Sequence, residues 1–347
     1  VYPFRVCANH QFTGGFDFES YLLFVYTMNF FAIPFRKRSC YNTGTDQRRI
    51  SFMEYVTLAN GVKMPQLGYG VYQVTKAECE RCVADALKVG YRHIDTAQSY
   101  FNEEEVGNAV KNSGISREKL FITTKVWIEH YGYEECRKSV LESLRKLQLD
   151  YLDLVLLHQP FADYYGAWKA LEELYAEGKL RAIGVSNFSP DRLVDICSFS
   201  RIKPMVNQVE THPHDQQKTA HEWMKKYGVV HEAWAPFGEG RGGLFTDPVL
   251  AKIGAKYGKT AAQVILRWHL QRGIVVIPKS THIERMEENF NVFDFTLSAD
   301  DMKEIAALDK EQSSFFSHTD PNMVEWFVKM VDERKKATNG DPAKKNW

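Results

Sequence analysis

From Tyr55 onward the chain alternates between short apolar runs and longer segments in which apolar residues recur every three or four positions. The short runs predict strands, and their nearly continuous apolar character is typical of parallel strands covered on their faces by helices. The longer segments predict amphipathic helices, several of which end at a glycine, as helices commonly do. The predicted strands lie at 67–72, 93–97, 121–127, 151–158, 180–188, 204–210, 229–237 and 274–280.

An Asn60-Gly61 pair between alternating apolar residues precedes the first of these strands and predicts a β-hairpin. Eight strand–helix units in succession favour an α/β fold of the (β/α)₈ TIM barrel type, which commonly takes about 250 residues, over an open doubly wound sheet. We therefore expect a single barrel domain at 53–311 that begins with an N-terminal β-hairpin.

The two ends of the chain do not share this pattern. Residues 1–52 are rich in Phe, Tyr and Asn, and the apolar run at 21–35 is followed by three basic residues. That run is shorter than the roughly 20 residues of a membrane-spanning helix and is interrupted by Pro34, so a membrane anchor is only the minor alternative. We expect 1–52 to be an N-terminal extension outside the fold, with Met53 as the natural start, and 312–347 to be an aperiodic C-terminal tail.

Charge and cysteine content narrow the range of functions. The 347 residues carry 44 basic and 44 acidic side chains, and this balance argues against nucleic acid as a partner. The six cysteines are scattered, and Cys79 and Cys82 lie within a helical pattern, where packing is a better explanation than redox chemistry. We expect a monomeric protein in a reducing, cytoplasmic setting.

Polar residues concentrate at the carboxyl ends of the predicted strands, where barrel enzymes carry their chemistry. Asp95 ends one strand, Tyr100 follows it in a loop, and Lys125 ends the next strand. A cation beside a phenol stabilises the phenolate, so these three side chains predict a proton donor that works near neutral pH. His212 and His214 lie two residues apart, but no third ligand accompanies them at a plausible spacing, and no metal is expected.

Six longer motifs make the pattern specific. They are GYRHIDTA at 90–97, ITTKVW at 122–127, LLHQP at 156–160, GVSNF at 184–188, NQVETHP at 207–213 and IPKS at 277–280. Together they resemble the aldo-keto reductase family, in the family's order, over roughly 55–309. Within that family the chain looks most similar to prokaryotic 2,5-diketo-D-gluconate reductase-like members.

The resemblance implies an NADPH-dependent oxidoreductase that reduces aldehydes or ketones by hydride transfer. Tyr100 would be the general acid, Lys125 would lower its pKa toward neutrality, Asp95 would pair with Lys125, and His158 would orient the carbonyl. A downward shift of about 2 pKa units requires about 3 kcal/mol of differential stabilisation, which one close ammonium can supply.

The resemblance also implies a cofactor site built without the Gly-x-Gly-x-x-Gly motif of Rossmann folds, which this chain does not contain between a strand and a helix. Ser186, Asn187 and Gln208 would bind the carboxamide, and Trp234 would stack on the nicotinamide ring. Lys279, Ser280 and Arg285 form a cationic and hydroxyl set that suits a 2′-phosphate and favours NADPH over NADH. The remaining implied contacts are Gly70, Val71, Glu288 and Asn289.

The substrate is the least determined part of the prediction. Tyr72 and Trp127 are expected to line an apolar carbonyl pocket for small dicarbonyls, keto-sugars or aromatic aldehydes. Two alternatives stay open at this point. One is a non-catalytic NADPH-binding regulatory subunit. The other is a Schiff-base enzyme using Lys125, which Asp95 disfavours because a carboxylate keeps the ammonium charged.

Overall fold

A computed structural model describes residues 53–337 of the chain. The predictions made for residues 1–52, namely the extension outside the fold and the minor membrane alternative, lie outside the described residues. The same holds for the last ten residues of the predicted tail, 338–347. Between 53 and 337, no helix combines the length and the apolar character that a membrane crossing requires.

The predicted hairpin opens the described chain. Its antiparallel strands are β1 (Tyr55–Thr57) and β2 (Lys63–Pro65), and Gly61 in the turn has a φ of 86°. Leu58 and Met64 are buried against residues at the amino-terminal ends of the barrel strands. The hairpin therefore closes the end of the barrel opposite the predicted site. Burying each of these two side chains contributes about 1.5–3 kcal/mol to the stability of this contact.

Eight parallel strands follow the hairpin, and each predicted strand is confirmed with shorter bounds. Neighbours along the chain are neighbours in the sheet, so the strand order runs from β3 to β10 without interruption. A parallel bridge between Leu67 and Val276 joins the two ends of this order, and the Gly68 amide donates to the Val276 carbonyl at 2.8 Å. These contacts close the sheet into the predicted (β/α)₈ barrel. The strands are β3 (Tyr69–Gly70), β4 (His93–Asp95), β5 (Phe121–Val126), β6 (Leu154–Leu157), β7 (Ile183–Ser186), β8 (Val206–Glu210), β9 (Val230–Trp234) and β10 (Val275–Val276).

Helices separate the strands and cover the barrel. Thr260 begins one of them with a reciprocal capping box to Gln263, and Asp247 caps another by accepting from two backbone amides. The helices are α1 (Lys76–Val89), α2 (Glu103–Asn112), α3 (Tyr133–Leu147), α4 (Tyr164–Ala176), α5 (Pro190–Phe199), α6 (Lys218–Tyr227), α7 (Pro248–Tyr257), α8 (Ala261–Gln271), α9 (Ile283–Phe290), α10 (Ala299–Ala306) and α11 (Pro321–Ala337).

Helix α11 corrects the prediction of an aperiodic tail. It is 17 residues long, and it buries Phe327 and Val331 in a small apolar cluster with Trp127 and Ile128. Trp127 follows strand β5, so α11 lies against the end of the barrel where the predicted catalytic residues are located. Residues 321–337 of the predicted tail therefore form a helix packed beside the candidate site.

Candidate active site

Lys125 is the centre of a buried group of polar side chains. It lies on β5 beside β4, its side chain is fully buried, and its Nζ donates to the Asp95 carboxylate at 2.5 Å. The same ammonium donates to the Thr96 carbonyl at 3.0 Å and to the Tyr100 hydroxyl at 3.3 Å. The three residues expected to meet at the strand ends are thus in direct contact.

A short 3₁₀ turn, Gln98–Tyr100, brings the phenol to Lys125. Gln98 holds this turn against the neighbouring strand, because its side-chain oxygen accepts from the Trp127 amide at 3.0 Å. Its amide nitrogen also donates to Ser143 on α3 at 3.1 Å. The position of Tyr100 is therefore set by a side chain that spans two further elements of the barrel.

His158 follows β6 and lies on the other side of Tyr100. The two rings are 5.8 Å apart between centroids at 77°, and Trp127 packs against His158 at 5.0 Å and 78°. Nδ1 of His158 lies 3.4 Å from the Ser99 hydroxyl. Burial, with a smaller effect from Lys125, lowers the pKa of His158 well below its usual value, so the imidazole is neutral at physiological pH.

The pKa of Tyr100 differs from the sequence-based expectation. Burial raises it to about 12, and the charge of Lys125 opposes this shift without reversing it. Lys125 therefore acts in the expected direction, but the net shift of the pKa is upward in the chain by itself, because desolvation of the phenolate outweighs one ammonium. Burial also acts to lower the pKa of Lys125, but the Asp95 carboxylate outweighs it and raises that pKa, so Lys125 stays charged.

The predicted carboxamide-binding residues connect to this group through hydrogen bonds. Gln208 donates to the second Asp95 oxygen at 2.9 Å, and Asn187 donates to the His158 carbonyl at 3.0 Å. Ser186 donates to the Gln208 carbonyl at 2.9 Å, and the indole of Trp234 donates to the Asn187 side chain at 2.8 Å. All four side chains therefore lie at one rim of the barrel, with fixed orientations.

The residues predicted to bind the 2′-phosphate differ in whether they already form ion pairs or hydrogen bonds within the fold. Lys279 and Arg285 are exposed and form no ion pair with any residue between 53 and 337. Ser280 is buried, and its hydroxyl accepts from the His282 amide at 3.1 Å. The exposed cations leave charge available for a phosphate group near the start of α9.

Three of the four other predicted cofactor contacts have hydrogen-bond partners within the fold, and the fourth is buried. Glu288 accepts from Thr260 at 2.7 Å, and Asn289 is buried on α9. The Val71 amide donates to the Asp95 carbonyl at 3.0 Å, and the Gly70 amide donates to the Pro278 carbonyl at 3.2 Å. These residues lie beside the site, but their polar groups are partly occupied within the fold.

The predicted pocket residues flank Tyr100 on its outer side. Tyr72 is 48% exposed with its ring 5.0 Å from that of Tyr100, and Trp127 is buried beside His158. Phe327 from α11 lies 6.0 Å from Trp127 and adds a third aromatic wall. An apolar opening bordered by a phenol and an imidazole suits a carbonyl compound.

Sequence reasoning missed two buried polar residues below this rim. Glu232 on β9 and His93 on β4 are fully enclosed in the barrel interior, with 3.7 Å between His93 Nε2 and Glu232 Oε1. His93 lies two residues before Asp95, on the same face of its strand, and this spacing was the available signal.

Comparison with known proteins agrees with this geometry. The Aldo/keto reductase family matches residues 57–310, which include every strand of the barrel. The chain belongs to this family.

Individual members of the family are similar over most of their own length. The glyoxal reductase of Bacillus subtilis (strain 168) is 50% identical over 264 residues, 76% of this chain and 95% of that protein. The methylglyoxal reductase DkgA of Escherichia coli (strain K12) is 45% identical over 258 residues, 74% of this chain and 93% of that protein. A solved structure of a Gox0644 variant in complex with NADPH has a TM-score of 0.73 at 39% identity, covering 77% of this chain and 97% of that one. Helix α11 lies beyond the part of the chain that the family matches.

Proposed function

We propose that this protein reduces aldehydes and ketones to alcohols with NADPH as the hydride donor. The observation that carries the proposal is the contact of the Tyr100 hydroxyl with Lys125, whose charge is retained by Asp95. The similarity to reductases of glyoxal and methylglyoxal and to a protein solved with NADPH supports the same activity.

In this mechanism NADPH supplies the hydride, and the side chains of the chain handle the proton and the charge. Tyr100 holds its proton across the physiological range because its pKa is raised. As the carbonyl oxygen gains negative charge it becomes far more basic than a phenolate, so the proton moves from the Tyr100 hydroxyl to that oxygen. Lys125, 3.3 Å from the phenol oxygen, stabilises the phenolate that remains.

His158 orients the substrate in this proposal. Because the imidazole is neutral, its ring N–H can donate a hydrogen bond to the carbonyl oxygen while the ring carries no positive charge. Its ring is fixed between Tyr100 and Trp127, so the donor is already placed before the substrate arrives.

For the cofactor, we assign the nicotinamide end to Ser186, Asn187, Gln208 and Trp234. Their fixed hydrogen bonds and the flat indole fit a carboxamide and an aromatic ring. Lys279 and Arg285 would bind the 2′-phosphate, as exposed cations without an ion pair in the described chain. Gly70, Val71, Ser280, Glu288 and Asn289 complete the proposed site.

Small dicarbonyls, keto-sugars and aromatic aldehydes are the proposed substrates. A panel of methylglyoxal, 4-nitrobenzaldehyde and 2,5-diketogluconate, followed by NADPH oxidation, tests this directly. We expect turnover with at least one of them and a higher kcat/KM with NADPH than with NADH. Tight NADPH binding with no turnover on any carbonyl would instead support the regulatory-subunit alternative.

We further propose that the protein acts as a cytoplasmic monomer, without a nucleic-acid partner. Four buried cysteines in the described chain are free thiols, which suits a reducing compartment. Light scattering coupled to size exclusion tests the monomer, and an elution mass of two or more chains would contradict it.

A further inference from the structure

A polar layer lies inside the barrel directly below the Asp95–Lys125 pair. Glu232 on β9 is fully buried there, beside Gln208 on β8 and opposite His93 on β4. Gly68 on the neighbouring segment makes this layer possible, because a Cβ at that position would lie 2.5 Å from Nδ1 of His93. Barrel interiors are usually filled by Val, Ile and Leu, so a glutamate at this depth is unusual.

The carboxyl group of Glu232 lacks well-formed hydrogen bonds. Among residues 53–337, no donor reaches either of its oxygens with ordinary hydrogen-bond distance and angle, and His93 Nε2 lies 3.7 Å from Oε1. Gln208 donates to Asp95 at 2.9 Å and its amide also acts to lower the pKa of Glu232, while His93 Nε2 lies 3.1 Å from the Thr123 hydroxyl. A buried carboxylate without partners is costly, whereas an apolar side chain at this position would cost little. Packing therefore does not account for Glu232.

The charges around Glu232 decide its protonation state. The titratable groups that face it are His93 and Asp95 from β4 and Lys125 from β5. Burial and then Lys125 lower the pKa of His93 to about 3, so His93 supplies no positive charge. One ammonium thus serves two buried carboxyl groups, and Asp95 holds it at 2.5 Å. Burial and then Asp95 raise the pKa of Glu232 to about 8.

We propose that Glu232 is a positioning residue for carbonyl reduction, a carboxylic acid kept neutral below Asp95 so that the charge of Lys125 remains available to Tyr100. Once Glu232 loses its proton, a second negative charge draws on the same ammonium. The Tyr100 phenolate is then less stabilised, Tyr100 becomes a weaker acid, and reduction slows. This proposal rests on the proposed function of Tyr100 and Lys125.

The first test is the pH profile of kcat/KM for methylglyoxal reduction between pH 6 and 10. In the native protein we expect kcat/KM to fall above about pH 8, the pKa to which Glu232 is raised. In Glu232→Gln, which keeps the shape but cannot ionise, this fall should be absent up to pH 10, because the pKa of Tyr100 is raised to about 12. At pH 6.5 the two proteins should agree within about threefold, because both side chains are then neutral.

Two further variants separate this role from a purely structural one. Glu232→Asp retains an ionisable group and should keep an alkaline fall, whereas Glu222→Gln on the exposed face of α6 should leave the profile unchanged. An identical alkaline fall in the native protein and in Glu232→Gln would overturn the proposal, because the titration would then belong to another group. Inhibition by Zn²⁺ that Glu232→Gln abolishes would also overturn it, since Glu232 would then be an ionised metal ligand.

A second measurement needs no turnover. Infrared difference spectra of the native protein between pH 7 and pH 10 should show the carbonyl stretch of a protonated carboxyl group that is lost on ionisation. The band should be absent from Glu232→Gln, and its absence from the native protein would overturn the proposal even if Glu232→Gln does not fold. If the band is present but no carbonyl compound is reduced, the protonation of Glu232 stands and the proposed function fails instead.

Discussion

Replacing Lys125 with methionine tests the electrostatic core of the proposed mechanism. Methionine has a similar length and no charge, so the change removes the ammonium that contacts both Asp95 and Tyr100. At 3.3 Å and an effective dielectric constant near 20, the attraction between this ammonium and a full phenolate charge is about 5 kcal/mol. Only part of that charge develops in the transition state, so we expect kcat to fall by about 10²- to 10⁴-fold.

The assay compares kcat, KM and the Kd for NADPH at pH 7 in the native protein and in Lys125→Met. We expect NADPH binding to persist, because the proposed cofactor contacts lie on other residues. Lys111→Met is a suitable control, since it removes an exposed lysine on α2 and should leave every parameter unchanged. A kcat within tenfold of the native value would refute the assignment of Lys125.

A double variant separates stability from catalysis at the same pair. Lys125→Met alone leaves the buried Asp95 carboxylate without its cation, which should reduce the free energy of unfolding by about 3–5 kcal/mol. Adding Asp95→Asn removes the unpaired charge and should restore most of that stability, as measured by urea denaturation. Activity should stay low in the double variant. Its recovery would show that the pair acts through folding alone.

Three further outcomes are expected. Burial lowers the pKa of four histidines, His93, His158, His231 and His269. The free energy of unfolding should therefore decrease as the pH falls below about 6.5, by up to about 1.4 kcal/mol per pH unit for each of them, because the unfolded chain binds protons that the folded chain does not. Urea denaturation at pH 7.5 and at pH 5.5 measures this decrease. Phe327→Ala should raise KM for 4-nitrobenzaldehyde about fivefold, corresponding to roughly 1 kcal/mol of lost apolar contact around Trp127, and an unchanged KM would place α11 outside the pocket. Combined Lys279→Ala and Arg285→Ala should raise KM for NADPH at least about tenfold while leaving KM for NADH unchanged, and an equal loss with both cofactors would contradict the phosphate assignment.

The barrel and the contacts among Asp95, Tyr100 and Lys125 could be predicted because the necessary signals are local. Each strand is a short apolar run, and parallel strands in a closed barrel bring their carboxyl ends to one rim. Residues far apart in sequence, such as Asp95 and Gln208, then meet without any further information.

The features that could not be predicted depend on three-dimensional burial or on a weak pattern. The pKa of Tyr100 follows from how completely the phenol is desolvated, which no local motif encodes. Glu232 lies in a strand whose sequence is mainly apolar. Whether its side chain enters the barrel interior depends on the register with which this strand pairs with its neighbours. Helix α11 was missed because charged residues surround its apolar positions, although the spacing of Met323, Phe327 and Val331 fits one helical face.

The most direct test of the central claim is a comparison of Tyr100→Phe with the native protein. The substitution removes only the hydroxyl that lies 3.3 Å from Lys125. We predict that NADPH binds with unchanged affinity while carbonyl reduction falls by about 10²-fold or more, because the proton donor is lost. Reduction at close to the native rate in Tyr100→Phe would contradict the assignment of Tyr100 as the general acid.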